Sequence, residues 1–114
     1  MADLAYARAT IGAGLALFRE LGDRLGLVET IEYAAMLAAA EGNDERALKL
    51  AAAASAHRET LGAPATDSDR RTLEDLLAPS RERLGAAASA AVWEQGRDLT
   101  FERVLDLAAP RGNH

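Results

Sequence analysis

Leu4, Ala7, Ile11, Leu15, Phe18, Leu21 and Leu25 recur at intervals of three and four, the spacing that aligns one face of an α-helix. This stripe predicts a first helix, and Gly22 and Gly26, which bracket Asp23, Arg24 and Leu25, predict a tight corner after it. Val28, Ile31, Ala35 and Ala38 then begin a second stripe that ends before Gly42 and Asn43. Asp44 is the expected cap of a third helix carrying Ala47, Leu50, Ala54, His57 and Leu61, closed by Gly62 and Pro64. The segment from Ala63 to Ser68 is short enough to be an ordinary helix connection. Asp67 or Ser68 is expected to cap a fourth helix with Leu73, Leu76, Leu77 and Leu84. Pro79 removes a backbone donor and crowds the preceding turn, which predicts a kink or break between Leu77 and Ser80. A fifth helix is expected from Ala86 to Gln95, with Gly96 closing it in the left-handed conformation. Thr100 then caps a sixth, from Phe101 to Ala109, with Glu102 in its first turn. The tail, Pro110 to His114, is expected to be poorly ordered.

Composition supports the all-α reading. The 114 residues include 27 alanines and 17 leucines but only five aromatics, so the core must form by close helix approach over small side chains. Alanine and leucine lead the helix propensities, and the strand formers are scarce and scattered. A chain of this length fits one domain and buries roughly two-thirds of the surface its unfolded form exposes. The net charge of −5 is spread without a basic block, so direct contact with nucleic acid is not expected. The absence of cysteine rules out disulfides and thiolate metal sites. No run approaches the ~18 apolar residues of a membrane span, and no basic flank leads an apolar stretch at the N-terminus. A cytoplasmic protein is therefore expected. Arginine outnumbers lysine twelve to one, which with the alanine excess is the habit of a GC-rich bacterial genome.

No constellation points to a reaction, so no catalytic, cofactor-binding or metal-ligating residue is expected, nor any cofactor. His57 lies on the apolar stripe of the third helix, where a packing or hydrogen-bonding role outweighs that of a general base or ligand; no second histidine at i+4 and no Glu-x-x-His pair accompanies it. Gly12 and Gly14 lie inside a helical stripe and not in the strand-to-helix turn of a phosphate loop, and are expected to let another helix approach, with a frayed or kinked first helix as the alternative. Glu29 and Glu32, the cluster of Glu41, Asp44 and Glu45, the pair Glu74 and Asp75, and the run Arg81 to Arg83 read as solvated charge. Trp93 is expected to anchor the core beneath the last two helices, with ligand stacking as the lesser alternative.

The second and third helices place Ala34, Ala35 and Ala38 opposite Ala47, Ala51 and Ala54, with Gly42 and Asn43 at the turn. This resembles one tetratricopeptide repeat. The segment Phe18 to Leu27 resembles the second half of a preceding repeat whose first half is absent. These stretches, with Ala34 to Pro64, Trp93 to Arg97, and Leu99 and Thr100, resemble the C-terminal helical region of large actinobacterial regulators. That group includes the LuxR-type and AfsR-type transcription regulators and predicted ATPases. His57 stands where the pattern usually has leucine, Ser55 where it is usually acidic, and a proline inside the fourth helix is foreign to it. The resemblance implies a tetratricopeptide-like antiparallel stack over residues 1–62, a C-terminal helical cap over 63–109 and a flexible tail over 110–114. It also implies a non-enzymatic interaction or scaffolding module, the regulatory part of a multidomain transcription regulator. The partner would be a protein, other domains of a parent regulator, or a second copy, because an array beginning at a half-repeat exposes an apolar face. The alternative is a small-molecule sensor with an effector pocket near Trp93 and His57.

Overall fold

Four of the five corners among the described residues place a polar side-chain cap at the start of the next helix, and only the helix that follows Gly85 begins without one. The computed structural model describes residues 4–110, and in them it shows six helices and no strand. They are α1 (Leu4–Leu21), α2 (Arg24–Ala40), α3 (Asp44–Leu61), α4 (Asp67–Leu84), α5 (Ala86–Arg97) and α6 (Phe101–Ala108). Gly22 and Gly42 turn the chain at the first two corners with φ of 68° and 77°, a region that costs glycine nothing. Asp23 then accepts from the Gly26 amide to cap α2, and Thr100 accepts from the Arg103 amide to cap α6. Two caps differ from expectation. Asn43, not Asp44, caps α3, and Thr66, not Asp67 or Ser68, caps α4. Asp44 instead occupies the first helical position, where its carboxylate accepts from Arg83 and from the Ser80 hydroxyl at 2.8 Å.

The core is organised around α3. Ala47, Leu48 and Leu50 through Ala54 are all fully buried, an apolar girdle wider than one stripe, as befits a helix surrounded on several sides. Helices α2, α4, α5 and α6 all pack on it. The alanines expected at the α2–α3 contact, Ala34, Ala35, Ala38, Ala47, Ala51 and Ala54, are each buried. Arg46 of α3 fastens α6 by donating from Nε and Nη2 to the Leu107 carbonyl at 3.1 and 2.7 Å. The radius of gyration is 13.3 Å, against roughly 13 Å expected of a folded domain this long.

Two further expectations are corrected. Gly96 does not end α5; it lies inside that helix, buried, and without a positive φ. A Cβ there would stand 2.5 Å from the Lys49 carbonyl oxygen and 2.9 Å from the Ala52 Cβ, so the glycine lets the α5 backbone rest directly on α3. The left-handed glycine at this end of the fold is Gly85, which separates α4 from α5 with φ of 87°. Nor does Pro79 break α4, which continues to Leu84. Leu77 and Ser80, on either side of the proline, are fully buried, and the bond from Ser80 to Asp44 ties this turn to α3, so tertiary contacts offset the lost backbone bond. Helix α1 is likewise continuous through Gly12 and Gly14. Gly14 meets the Thr30 side chain at 3.3 Å from its Cβ position, whereas Gly12 has only Pro110 at 3.7 Å. No described helix is long and apolar enough to cross a membrane. The expectation for the tail beyond Pro110 lies outside the described residues.

Candidate functional site

Three helices laid side by side leave a trough between them. The exposed face of α2 contributes Glu29, Glu32, Tyr33 and Met36; α3 contributes Ala51, Ser55, Arg58 and Glu59; the first half of α4 contributes Asp69, Arg70, Leu73 and Glu74; and α5 contributes Trp93. The groove holds about 760 Å³ and is open to solvent along one side. Its lining is mostly apolar, with charges set around it. Five carboxylates line it, and three of them, Glu32, Glu59 and Glu74, are paired with Arg58, Arg97 and Arg81, so its residual negative charge lies at Glu29 and Asp69.

Arg58 fixes the shape of the groove. Its Nε and Nη2 donate to both oxygens of Glu32 at 2.7 and 2.9 Å, and its Nη1 donates to the Ala63 carbonyl at 2.9 Å. The pair therefore binds α2 to the end of α3 and to the loop leading into α4. Only 12% of the Arg58 side chain and 16% of the Glu32 side chain is exposed, and two parallel bonds of this kind are strong and directional. Along the rim, Arg97 donates to Glu59 at 2.8 Å and holds that carboxyl below its usual range. Arg81 donates to Glu74 at 3.2 Å while its guanidinium sits 4.8 Å from the centre of the Trp93 ring. Glu29 and Asp69, both exposed, have no ion pair within 4 Å among the described residues, and both act electrostatically on Arg58. Tyr33 is 65% exposed on the same wall as Glu29.

A second surface lies on α1. This helix packs chiefly on α2 and buries only Ile11 and Leu15. Its charged residues at the two flanks are engaged: Arg8 pairs with Glu41, and Arg19 with Glu102 at 2.6 Å. Tyr6, Thr10, Ala13, Leu17 and Leu21 follow one another at spacings of four and three on the outward side. Tyr6, Leu17 and Leu21 are 71%, 51% and 65% exposed, and Glu20 stands at the edge of the stripe.

The structure separates the two residues expected around an effector pocket. Trp93 packs against the core, as expected, but is only half-buried; it also lines the groove, with Arg81 over its ring. His57 lies elsewhere, edge-on to Phe101 with ring centres 5.0 Å apart, and Arg24 stacks on the same Phe101 ring. Burial pushes the imidazole pKa down and the Arg24 charge adds to this, while a hydrogen bond to the Leu99 backbone opposes both; Nε2 is buried without a partner. Among the described residues no group of three or more His, Asp and Glu is placed to hold a metal ion. Glu29 and Glu32, which read as ordinary solvated charge in the sequence, face the groove instead. The only signal was their position beside Tyr33 and Met36 on a helix whose other side is apolar.

Set against models of known families, curated proteins and solved structures, the chain finds no match.

Proposed function

We propose that this chain is a non-enzymatic protein-interaction and scaffolding module whose outward α1 face receives a second copy of itself. One observation carries the reading: α1 presents Tyr6, Leu17 and Leu21 to solvent in a stripe between engaged charges. A two-fold interface brings the same patch from both partners together, so it requires a surface that does not repel itself. The stripe meets that requirement because Tyr6, Thr10, Ala13, Leu17 and Leu21 include no Asp, Glu, Lys or Arg, whereas the chain as a whole carries −5. The resemblance to the tetratricopeptide-like end of large bacterial transcription regulators agrees with this role and extends it: the module would be the regulatory end of such a regulator, working in the cytoplasm and pairing two of its copies.

Two differently tagged copies co-expressed in one cell test the proposal. Purification through one tag is expected to recover the other with the native chain and not with Leu17→Glu/Leu21→Glu. Equal recovery from both, or none from the native chain, would refute it.

The alternative of a small-molecule sensor draws on the groove, whose volume lies within the range of ligand pockets of roughly 300 to 1,000 Å³. Its open side and the packing of His57 on Phe101 instead of in the lining count against an enclosed effector. A small uncharged aromatic ligand that raised the thermal midpoint in proportion to its occupancy would favour this alternative.

A further inference from the structure

The walls of the groove repeat one small arrangement. On α2, Glu29 and Tyr33 lie four residues apart and therefore adjoin on the helix surface; on α4, Asp69 and Leu73 do the same. Each wall thus sets an ion-pair-free carboxylate beside an exposed or half-buried apolar side chain. That combination suits a long cationic side chain, whose charged head seeks the carboxylate while its methylene stem lies on the apolar neighbour. A guanidinium suits it best, because its planar fork matches a carboxylate and its flat face stacks on an aromatic ring such as Tyr33.

The protein's own arginines already occupy such seats along the same groove. Arg58 sits in the fork of Glu32, and Arg81 lies over Trp93 while bonding Glu74. Glu29 and Asp69 are the lining carboxylates with no ion pair within 4 Å among the described residues, although both feel the charge of Arg58. The groove's charge also decides between occupants. A second copy, itself at −5, would bring like charge to a negative trough, whereas a cationic segment would be drawn in.

We infer that the groove between α2, α3 and α4 docks an arginine-bearing peptide segment of a protein partner, with one arginine at Glu29 and Tyr33 and another at Asp69 and Leu73. Met36 and Trp93 provide apolar contact for the residues between them. This surface is separate from the α1 stripe, so either can fail without the other.

Trp93 is the chain's only tryptophan and lines the groove, so its emission reports occupancy directly. The 114-residue chain is titrated with acetylated, amidated peptides in which two arginines flank two, three or four leucine or alanine residues. Counterparts with citrulline in place of arginine, and argininamide alone, serve as comparisons. A saturable emission change is expected with at least one arginine peptide. Binding should weaken by about tenfold or more with citrulline, in Glu29→Gln/Asp69→Asn and in high salt, each of which removes or screens the charge contacts. Tyr33→Ala should weaken it too, and Leu17→Glu/Leu21→Glu should leave it unchanged. Equal binding of arginine and citrulline peptides, or a double groove variant that binds as the native chain does, would overturn the inference. So would argininamide binding as tightly as the peptides, or no response by emission and no heat by calorimetry.

Discussion

The α1 stripe and the groove are both exposed and both contain aromatic or aliphatic side chains, yet their surroundings differ. The stripe is uncharged, with its flanking arginines tied to Glu41 and Glu102. The groove is lined by five carboxylates, three of them paired with Arg58, Arg81 and Arg97, which leaves Glu29 and Asp69 to carry its negative charge. Apolar exposure alone therefore does not define what a surface binds; the charge around it selects the occupant. A neutral stripe tolerates its own copy, and an acidic trough calls for a cation.

Separating the two surfaces experimentally begins where the fold is least tolerant. Gly96→Val drives a side chain into the Lys49 carbonyl and Ala52, and overpacking of this kind costs about 3 kcal/mol. The urea midpoint should fall accordingly, and α5 should shift with Trp93, so the groove is damaged while the distant α1 stripe keeps its composition. Arg58→Met comes next. It strands the Glu32 carboxylate in a mostly buried site, at about 2 kcal/mol. Adding Glu32→Gln should recover much of the loss, and a double-mutant cycle with no coupling would show that the pair does not brace the groove.

A smaller effect comes from acid. The His57 ring takes up a proton less readily when folded than when unfolded, because burial and Arg24 disfavour its charge. Its contribution to stability is thus complete above the unfolded pKa of roughly 6.5, falls as the pH drops below it, and levels off below the depressed folded value. His57→Leu should flatten this part of the stability profile; an unchanged slope would assign it to other groups. The smallest stability change is expected from Leu17→Glu/Leu21→Glu. Both leucines are exposed, so the unfolding free energy at low protein concentration should stay within about 0.5 kcal/mol of native. A larger loss would mean that the stripe supports the fold itself.

How much of this was legible depended on how local the cause was. The middles of the α1 to α3 stripes, the corners at Gly22 and Gly42 and the Thr100 cap arise from neighbouring residues, and the sequence displays them; Leu21, Leu25 and Leu61, counted into the same stripes, are exposed because they lie at helix ends, beyond the neighbouring helices. Caps slipped by one or two positions at Asn43 and Thr66 because several polar residues in a row could each serve. Gly96 misled for a different reason. A glycine followed by Arg97, Asp98 and Leu99 looks like a helix end, and only the approach of α3 reveals it as a contact point. Pro79 likewise looked like a break because the burial of Leu77 and Ser80 is not written near it. The groove was the least legible feature. Its lining comes from four helices and a loop, and no single segment marks Glu29, Asp69 and Trp93 as neighbours of one trough.

The most direct test is the mass of the native chain and of Leu17→Glu/Leu21→Glu, measured by light scattering after size exclusion over a wide range of concentration, beside Glu29→Gln/Asp69→Asn. The native chain and the groove variant are expected to form a dimer that dissociates on dilution, and the stripe variant to remain a monomer throughout. A native chain that stays monomeric at every concentration, or a dimer that survives both glutamates on α1, would contradict it.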